Sequence, residues 1–213
     1  MPIDEPLYPV NLRLAGQRCL VVGGGAVALS KVRGLVECGA LVTVVAPEIR
    51  PDLAALDGVT GEVRPYGEDD ADLGGYVLVI TATDDAEVNR LVSQHAQALG
   101  VWVNSADDPA NCTFILPARV RQGPLLVTFA TGGHSPALAT WLRRTYADEF
   151  GPEYVTLIEM LADERQNLLR AGRSTEGLDW QPALDSGMLD LIREGRLAEA
   201  KERLQACLSS SSA

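Results

Sequence analysis

The segment Cys19-Leu20-Val21-Val22-Gly23-Gly24-Gly25-Ala26-Val27-Ala28 joins a short apolar run to three glycines and then to a helical pattern. Its spacing, G-x-G-x-x-A at Gly23, Gly25 and Ala28, is typical of a strand-to-helix turn that leaves bare backbone where a pyrophosphate approaches. The free amides at the start of the following helix would meet such a phosphate. Because any tight turn can use glycines, this prediction depends on the surrounding sequence.

The residues after the glycines complete a strand, helix and strand unit. Apolar side chains recur at helical spacing between residues 28 and 36, and Gly39 is a suitable helix end. Residues 41–46 form a nearly continuous apolar run, which is typical of a parallel strand buried on both faces. This unit is the setting that the glycine pattern requires.

Strands and helices continue to alternate as far as residue 104. Apolar runs at 76–83 and 101–104 flank a predicted helix that begins after Asp84 and Asp85. We therefore predict an α/β fold with a Rossmann-like doubly wound parallel sheet, which binds ligands at the carboxyl ends of its strands.

Beyond residue 104 the pattern changes. Apolar runs at 113–120 and 124–130 predict a β-hairpin, and Pro136 starts a helix that extends to about residue 150. Helical patterns follow at 154–169, 182–193 and 197–208. We predict a dinucleotide-binding domain at 1–112, a hairpin-and-helix segment at 113–150, a helical domain at 151–208 and a disordered tail at 209–213.

Composition limits the classes of partner. The formal net charge of −11 argues against a general affinity for nucleic acid or for an anionic membrane. We find neither a secretory signal nor an apolar run of the roughly 18 residues that a membrane span needs. The four cysteines show no C-x-x-C spacing, which favours free thiols and no resident metal. We therefore expect a soluble cytoplasmic protein that holds anionic ligands with locally concentrated arginines.

One part of the dinucleotide-binding pattern is missing. An acidic residue about 20 positions after the glycines usually holds the ribose hydroxyls. Here the second predicted strand ends in Ala46-Pro47, and Glu48 follows. Glu48 is within reach of a ribose, whereas Arg50 leaves a phosphorylated ribose open. The residues alone therefore leave the choice between NAD and NADP undecided.

Taken together, the motifs resemble the precorrin-2 dehydrogenase family, which includes the N-terminal module of siroheme synthase and its ferrochelatase-capable members. The matching positions are 23–28 with Lys31, 39–40, 44–48, 81–85 with Asn89, 104–107, 114–117, 132–133 and 135–136. This family also ends its second strand in an Ala-Pro-Glu type of sequence. The match covers roughly residues 8–150.

The resemblance implies an NAD-dependent oxidoreductase that converts precorrin-2 into sirohydrochlorin in siroheme biosynthesis, and a homodimer built largely from the helical C-terminal half. It also implies that 1–112 is the NAD-binding domain and that 113–150 is a dimerisation and active-site segment. Some members of the family also insert ferrous iron, so a bifunctional dehydrogenase and ferrochelatase with Fe²⁺ as a transient substrate stays open. A second alternative, from another class, is a regulatory module that senses NAD without catalysis.

The resemblance also suggests site residues. Asp107 aligns with an aspartate implicated in dehydrogenation, and a carboxylate there would serve as a base; a simple Asx turn with Asp108 and Pro109 is the alternative. The predicted cofactor-binding residues are Gly23, Gly24, Gly25, Ala26, Val27, Pro47, Glu48, Thr83 and Asn104. The predicted substrate-binding residues are Thr131, Gly132, Gly133, His134, Arg119 and Arg121.

Overall fold

The computed structural model describes residues 3–106, 108–176 and 178–210, which form two compact units. The first unit contains the described residues up to Leu116 together with Thr131–Ser135. The second contains Pro117–Ala130 and the described residues from Pro136 onward. The predicted division at residues 112 and 150 stays a prediction.

The first unit is built around five parallel strands. In chain order its elements are β1 (Arg18–Val22), α1 (Ala26–Glu37), β2 (Leu41–Ala46), α2 (Pro51–Ala54), β3 (Val59–Val63), β4 (Leu78–Thr81), α3 (Ala86–Ala98) and β5 (Trp102–Ser105). The strand order is β3-β2-β1-β4-β5, so the chain moves outward from β1 on one side and then returns to its other side. This order confirms the predicted doubly wound parallel sheet.

The central strand β1 is buried on both faces. Cys19 and Val21 are fully buried in a core formed with α1, and Leu20 and Val22 are buried in a second core formed with α3. Because successive strand residues point to opposite faces, an uninterrupted apolar run is the pattern that such a strand requires.

The second unit combines a hairpin with helices. Its elements are β6 (Ala118–Gln122), β7 (Leu125–Phe129), α4 (Pro136–Ala147), α5 (Glu153–Arg170), α6 (Gln181–Leu184), α7 (Met188–Arg193) and α8 (Leu197–Ser210). The hairpin is antiparallel, and Gly123 turns with a φ of 51°. The helical core includes the buried side chains of Leu157, Met188 and Leu204.

Three sequence-based boundaries in this part of the chain are wrong. The predicted strand at 113–120 begins only at Ala118, because the amide of Thr113 instead donates to Val103 O on β5 at 2.8 Å. The predicted helix at 182–193 is divided into α6 and α7, since Gly187 adopts a left-handed φ of 80°. Helix α8 continues through Ser210, so the first two residues of the predicted disordered tail are helical.

Two features bear on the composition arguments. Within the described ranges, the helices are each too short or too polar to cross a lipid bilayer. All four cysteines lie among the described residues, and no disulfide joins them. Burial raises the pKa of the Cys19 thiol to about 11, so this thiol stays protonated at neutral pH.

The connection from β4 to α3 is fastened by the buried side chain of Asn89. Its Oδ1 accepts hydrogen bonds from the hydroxyls of Thr81 and Thr83, and its Nδ2 donates to Thr83 O at 2.9 Å. The helix itself begins at Asp85, whose carboxylate accepts from the amides of Glu87 and Val88. This network sets the path of the chain as it leaves the carboxyl end of β4.

We expect Asn89→Ala to lower the free energy of unfolding by about 2–3 kcal/mol, because it leaves buried groups without partners. Asn167→Ala, at an exposed position of α5, is the matched control and should change stability by less than about 0.5 kcal/mol. Urea denaturation of both variants measures the difference. Equal stabilities would contradict this role of Asn89.

Candidate cofactor and active site

The glycine turn after β1 is closed on two sides by backbone. Gly23 has a φ of 127°, and a Cβ there would lie 2.7 Å from the carbonyl carbon of Ala82, after β4. A Cβ at Gly24 would lie 2.9 Å from the carbonyl carbon of Glu48, after β2. Real side chains do not tolerate such distances, so these two glycines are required by the packing of the turn itself.

Gly25 differs from its two neighbours. A Cβ at this position would meet nothing within 4 Å, and Gly25, Ala26 and Val27 are exposed. Helix α1 starts here without a side-chain cap and without an acidic residue in its first turn. Its first amides therefore face open space with the positive end of the helix dipole behind them, an arrangement suited to a phosphate group.

Helix α3 starts near the same edge of the sheet, but its first amides are capped by a side chain of its own N-terminus. Asp85 accepts hydrogen bonds from two of its first amides, and Glu87 adds a second carboxylate to the first turn. A carboxylate at this position satisfies the amides and repels an incoming anion. Of these two helix starts, only that of α1 offers amides to an anionic ligand.

The chain after β2 lies directly against the glycine turn. The amide of Arg50 donates to Gly24 O at 3.1 Å, and the amide of Gly23 donates to Val45 O at 2.9 Å. Pro47 and Glu48 are both exposed beside these contacts. Pro47 and Glu48, which are predicted to contact the ribose, therefore lie beside the glycine turn, which is predicted to contact the pyrophosphate. This proximity follows because the carboxyl ends of neighbouring parallel strands lie at the same edge of the sheet.

Thr83 has a structural task in the same region. Its hydroxyl lies within donating distance of two acceptors, Asn89 Oδ1 at 2.9 Å and Asp85 O at 3.0 Å, and it accepts from the Asp85 amide at 3.1 Å. These partners occupy its side chain and hold the loop between β4 and α3. Its predicted contact with the cofactor stays a prediction.

Asn104, a predicted cofactor-binding residue near the end of β5, is buried. Its Nδ2 donates to Phe114 O at 3.1 Å and lies 3.6 Å from Cys112 Sγ. The thiol of Cys112 also receives the amide of Ser105 at 3.1 Å and lies 3.3 Å from Asp108 O. Burial raises the pKa of Cys112, so the neutral thiol can both donate and accept in these contacts.

Asp107 lies outside the described residues, and in the sequence it falls between Ser105 and Asp108, both of which contact Cys112. The alternative carboxylate, Asp108, has a clear local partner, because its Oδ2 accepts from Asn111 Nδ2 at 2.6 Å.

The sequence did not indicate the roles of two residues near the end of β5, Cys112 and Ser105. The sequence-based prediction treated Cys112 only as a buried thiol, and it did not single out Ser105, whose buried hydroxyl has no hydrogen-bond partner within the described part of the chain. No local pattern marks either residue.

The loop Thr131–Ser135 belongs to the first unit. Gly132 and Gly133 adopt left-handed φ values of 58° and 79°, and Thr131 Oγ1 accepts the amide of Ser135 at 3.2 Å. Gly132 O accepts the amide of Ile3 at 2.8 Å, and His134 Nε2 lies 3.3 Å from Ile3 O. The N-terminal segment thus lies against the predicted substrate loop.

Arg119 and Arg121 belong to the second unit, on β6. They are exposed, and because they are two residues apart on a strand they share one face of the hairpin, opposite the buried Val120.

A separate cavity of about 420 Å³ lies in the first unit at the amino end of β5, lined by Gln97, Gly100, Val101, Trp102 and Thr113. It is at the opposite edge of the sheet from the glycine turn.

Comparisons with known proteins agree with this geometry. Residues 10–118 match the family described as "Putative NAD(P)-binding". A siroheme synthase of Methylobacillus flagellatus is 38% identical over 94% of this chain and 44% of its own length. Siroheme synthases of Thioalkalivibrio sulfidiphilus and Pseudomonas putida are 39% and 41% identical, over 94% and 93% of this chain and 42% and 43% of theirs. The chain thus spans less than half the length of these relatives.

A solved structure titled "SirC, precorrin-2 dehydrogenase" has the same fold. It matches with a TM-score of 0.67 and 24% sequence identity, over 96% of this chain and 98% of that chain. The family resemblance predicted from the motifs is confirmed. The chain therefore belongs to the NAD(P)-binding family, and over most of its length it is similar to the siroheme synthases named above.

Proposed function

We propose that this chain binds NAD with its pyrophosphate against Gly23–Val27 and its ribose near Pro47 and Glu48. The observation that carries the proposal is the open space at Gly25 in front of the uncapped start of α1. Thr83 and Asn104, at the neighbouring strand ends, complete the proposed cofactor site. The residues present fit the coenzyme, because a pyrophosphate needs close approach to backbone and a concentration of free amides.

We further propose that the chain is an NAD-dependent oxidoreductase that converts precorrin-2 into sirohydrochlorin for siroheme biosynthesis. Bound NAD would supply the hydride acceptor for this oxidation. The names of the proteins similar to this chain support the substrate class. The position of β5 beside β4 supports a reaction at the same sheet edge as the proposed coenzyme site. The oxidation removes one hydride and one proton, so the protein must supply a base for the proton.

Asp107 is the proposed base. It comes two residues after the end of β5 in the sequence, and a carboxylate is a common side chain for this task when histidine is not used. Cys112 is proposed as a positioning residue, because its thiol holds Ser105 on one side of Asp107 and Asp108 on the other. The carboxylate of Asp108 is engaged by Asn111 and is therefore a poorer candidate for the base.

The substrate carries eight carboxylates, so its binding calls for cations and amides on a protein whose net charge is −11. Arg119 and Arg121 of the second unit are proposed to bind some of these carboxylates, and the loop residues Thr131, Gly132, Gly133 and His134 of the first unit are proposed separately as substrate-binding residues. The shared face of the two arginines and the exposed imidazole support this assignment.

Assembly and location are proposed on the same basis. We propose a homodimer that acts in the cytoplasm. Helix α4 exposes Leu138 and Trp141, which lie one turn apart on the same side and are 46% and 59% exposed. Large apolar side chains exposed together are typical of a protein contact surface.

Ferrous iron is proposed only as a transient second substrate, which a metal-insertion assay on sirohydrochlorin tests separately.

The glycine turn provides a matched pair of variants. Gly25→Ala should keep its stability within about 1 kcal/mol but weaken NADH binding at least about tenfold, since its new methyl group occupies the proposed pyrophosphate space. Gly24→Ala should instead lose more than about 2 kcal/mol of stability, because its Cβ meets the backbone of Glu48. Nicotinamide fluorescence and urea denaturation measure the two effects. Unimpaired NADH binding by Gly25→Ala would overturn the proposed cofactor site.

The proposed base is tested with a neighbouring control. Asp107→Asn should reduce anaerobic turnover of precorrin-2 by about 10²–10⁴-fold, because loss of a general base costs that much. Its NADH affinity should stay within about twofold of wild type. Asp108→Asn should retain most of the activity. NADH absorbance follows the reaction, and equal activity of wild type and Asp107→Asn would remove Asp107 from this role.

The dimer is tested on α4. We expect Trp141→Glu to convert the dimer into monomers, because a charge at the centre of an apolar contact is left without a partner. Leu99→Glu, a control at a residue that is 51% exposed at the end of α3 in the first unit, should leave the mass unchanged. Light scattering during size-exclusion chromatography gives the mass. A monomeric wild type would contradict the proposed assembly.

A further inference from the structure

We propose that Asp52 is a specificity-determining residue that disfavours NADP by holding the guanidinium of Arg50 beside the proposed ribose site. This inference rests on the proposed function and assigns to the same site a preference between its two nicotinamide coenzymes. The sequence alone left that choice open, since Arg50 is the type of residue that binds a 2′-phosphate. Three features of the first unit support the proposal.

The first feature is the position of Arg50. Its amide donates to Gly24 O at 3.1 Å, so its backbone is joined directly to the glycine turn. Arg50 also lies just after the end of β2, where proteins with this sheet discriminate between a ribose hydroxyl and a ribose phosphate. A long side chain that starts at this point can reach the ribose region without any change in the backbone.

The second feature is the pairing of its side chain. Arg50 Nε donates to Asp52 Oδ1 and one terminal guanidinium nitrogen donates to Asp52 Oδ2, each at 2.9 Å. This bidentate arrangement uses two parallel donors on one edge of the guanidinium, the same arrangement that an arginine uses toward a phosphate. A 2′-phosphate would therefore compete with Asp52 for this edge of Arg50.

The third feature is the charge that remains around the pair. Hydrogen bonding to Arg50 holds the pKa of Asp52 below its usual range, so its carboxylate is ionised at neutral pH. Exposed Glu48 is a second carboxylate nearby, while Arg33 on α1 adds a positive charge that acts on Asp52. A dianionic 2′-phosphate is repelled by the two carboxylates, whereas a neutral 2′-hydroxyl is not.

The consequence is a coenzyme preference set by a surface ion pair. Both side chains are about half exposed, at 49% and 43%, so the pair is not needed for the core and can be altered without loss of the fold. Removal of the Asp52 charge would leave Arg50 and Arg33 available to a 2′-phosphate. Coenzymes without that phosphate would gain little.

The test compares NADH and NADPH binding by nicotinamide fluorescence, with no turnover required. Asp52→Asn should tighten NADPH binding about three- to tenfold and change NADH binding by less than about twofold. Asp52→Ala should behave in the same way. The double variant Asp52→Asn with Arg50→Gln should lose the gain, because Arg50 is the group that receives the phosphate.

Glu199→Gln is the matched control. It changes the net charge by the same amount and removes one of the two carboxylates that pair with another exposed arginine, Arg196, just before α8 in the second unit. It should leave both affinities unchanged, which separates the local effect from a general loss of negative charge. Circular dichroism and thermal unfolding of each variant confirm that it is folded.

The outcomes separate this inference from the proposed function. Wild-type protein that binds NADH, together with an Asp52→Asn variant whose NADPH affinity is unchanged, would overturn the inference alone. Wild-type protein that binds NADPH as tightly as NADH would do the same. Failure of the folded wild-type protein to bind NADH would overturn both.

Discussion

The close approach of three backbone segments at Gly23 and Gly24 is the constraint on which the rest of this site depends. Val22 ends the central strand, and the chains leaving β4 and β2 pass so near that a Cβ on either glycine would overlap Ala82 or Glu48. The absence of side chains lets α1 begin immediately after β1. The first amides of α1 therefore emerge at the point where the strand order changes direction, which is where open sheets of this class bind ligands.

Much of the first unit could be predicted because its signals are local. The run at 41–46 coincides with β2, since a strand buried on both faces needs consecutive apolar residues. Asp85 was predicted to help start α3, because capping depends only on neighbouring backbone. The glycine turn, which is the proposed coenzyme site, could be predicted for the same reason, since its glycines and the helix after them are adjacent in the sequence.

The rest could not be predicted because its partners are distant in the sequence or depend on fine geometry. Residues 113–114 look like part of a strand, yet Thr113 is bound to Val103 on β5. The interruption at Gly187 is a single left-handed residue inside an otherwise helical pattern. The contacts of Cys112 with Asn104 and Ser105 could not be predicted, because a single cysteine looks the same in a sequence whether or not its thiol holds a loop. The family resemblance supplied Asp107, which no spacing rule would have selected.

An acidic chain that is proposed to bind anionic ligands meets an electrostatic problem, and the proposed coenzyme site in the first unit answers it with dipoles more than with net charge. Backbone amides at the start of α1 keep their polarity whatever the total charge of the protein, and no carboxylate lies in that first turn. Helix α3, by contrast, is closed by Asp85, and the guanidinium of Arg50 is engaged by Asp52. Because the binding groups are neutral amides, fewer counterions are displaced on binding than at an arginine cluster. A pyrophosphate held in this way should therefore bind with a weaker dependence on salt than the carboxylates of the proposed substrate, whose proposed binding to arginines depends on full charges.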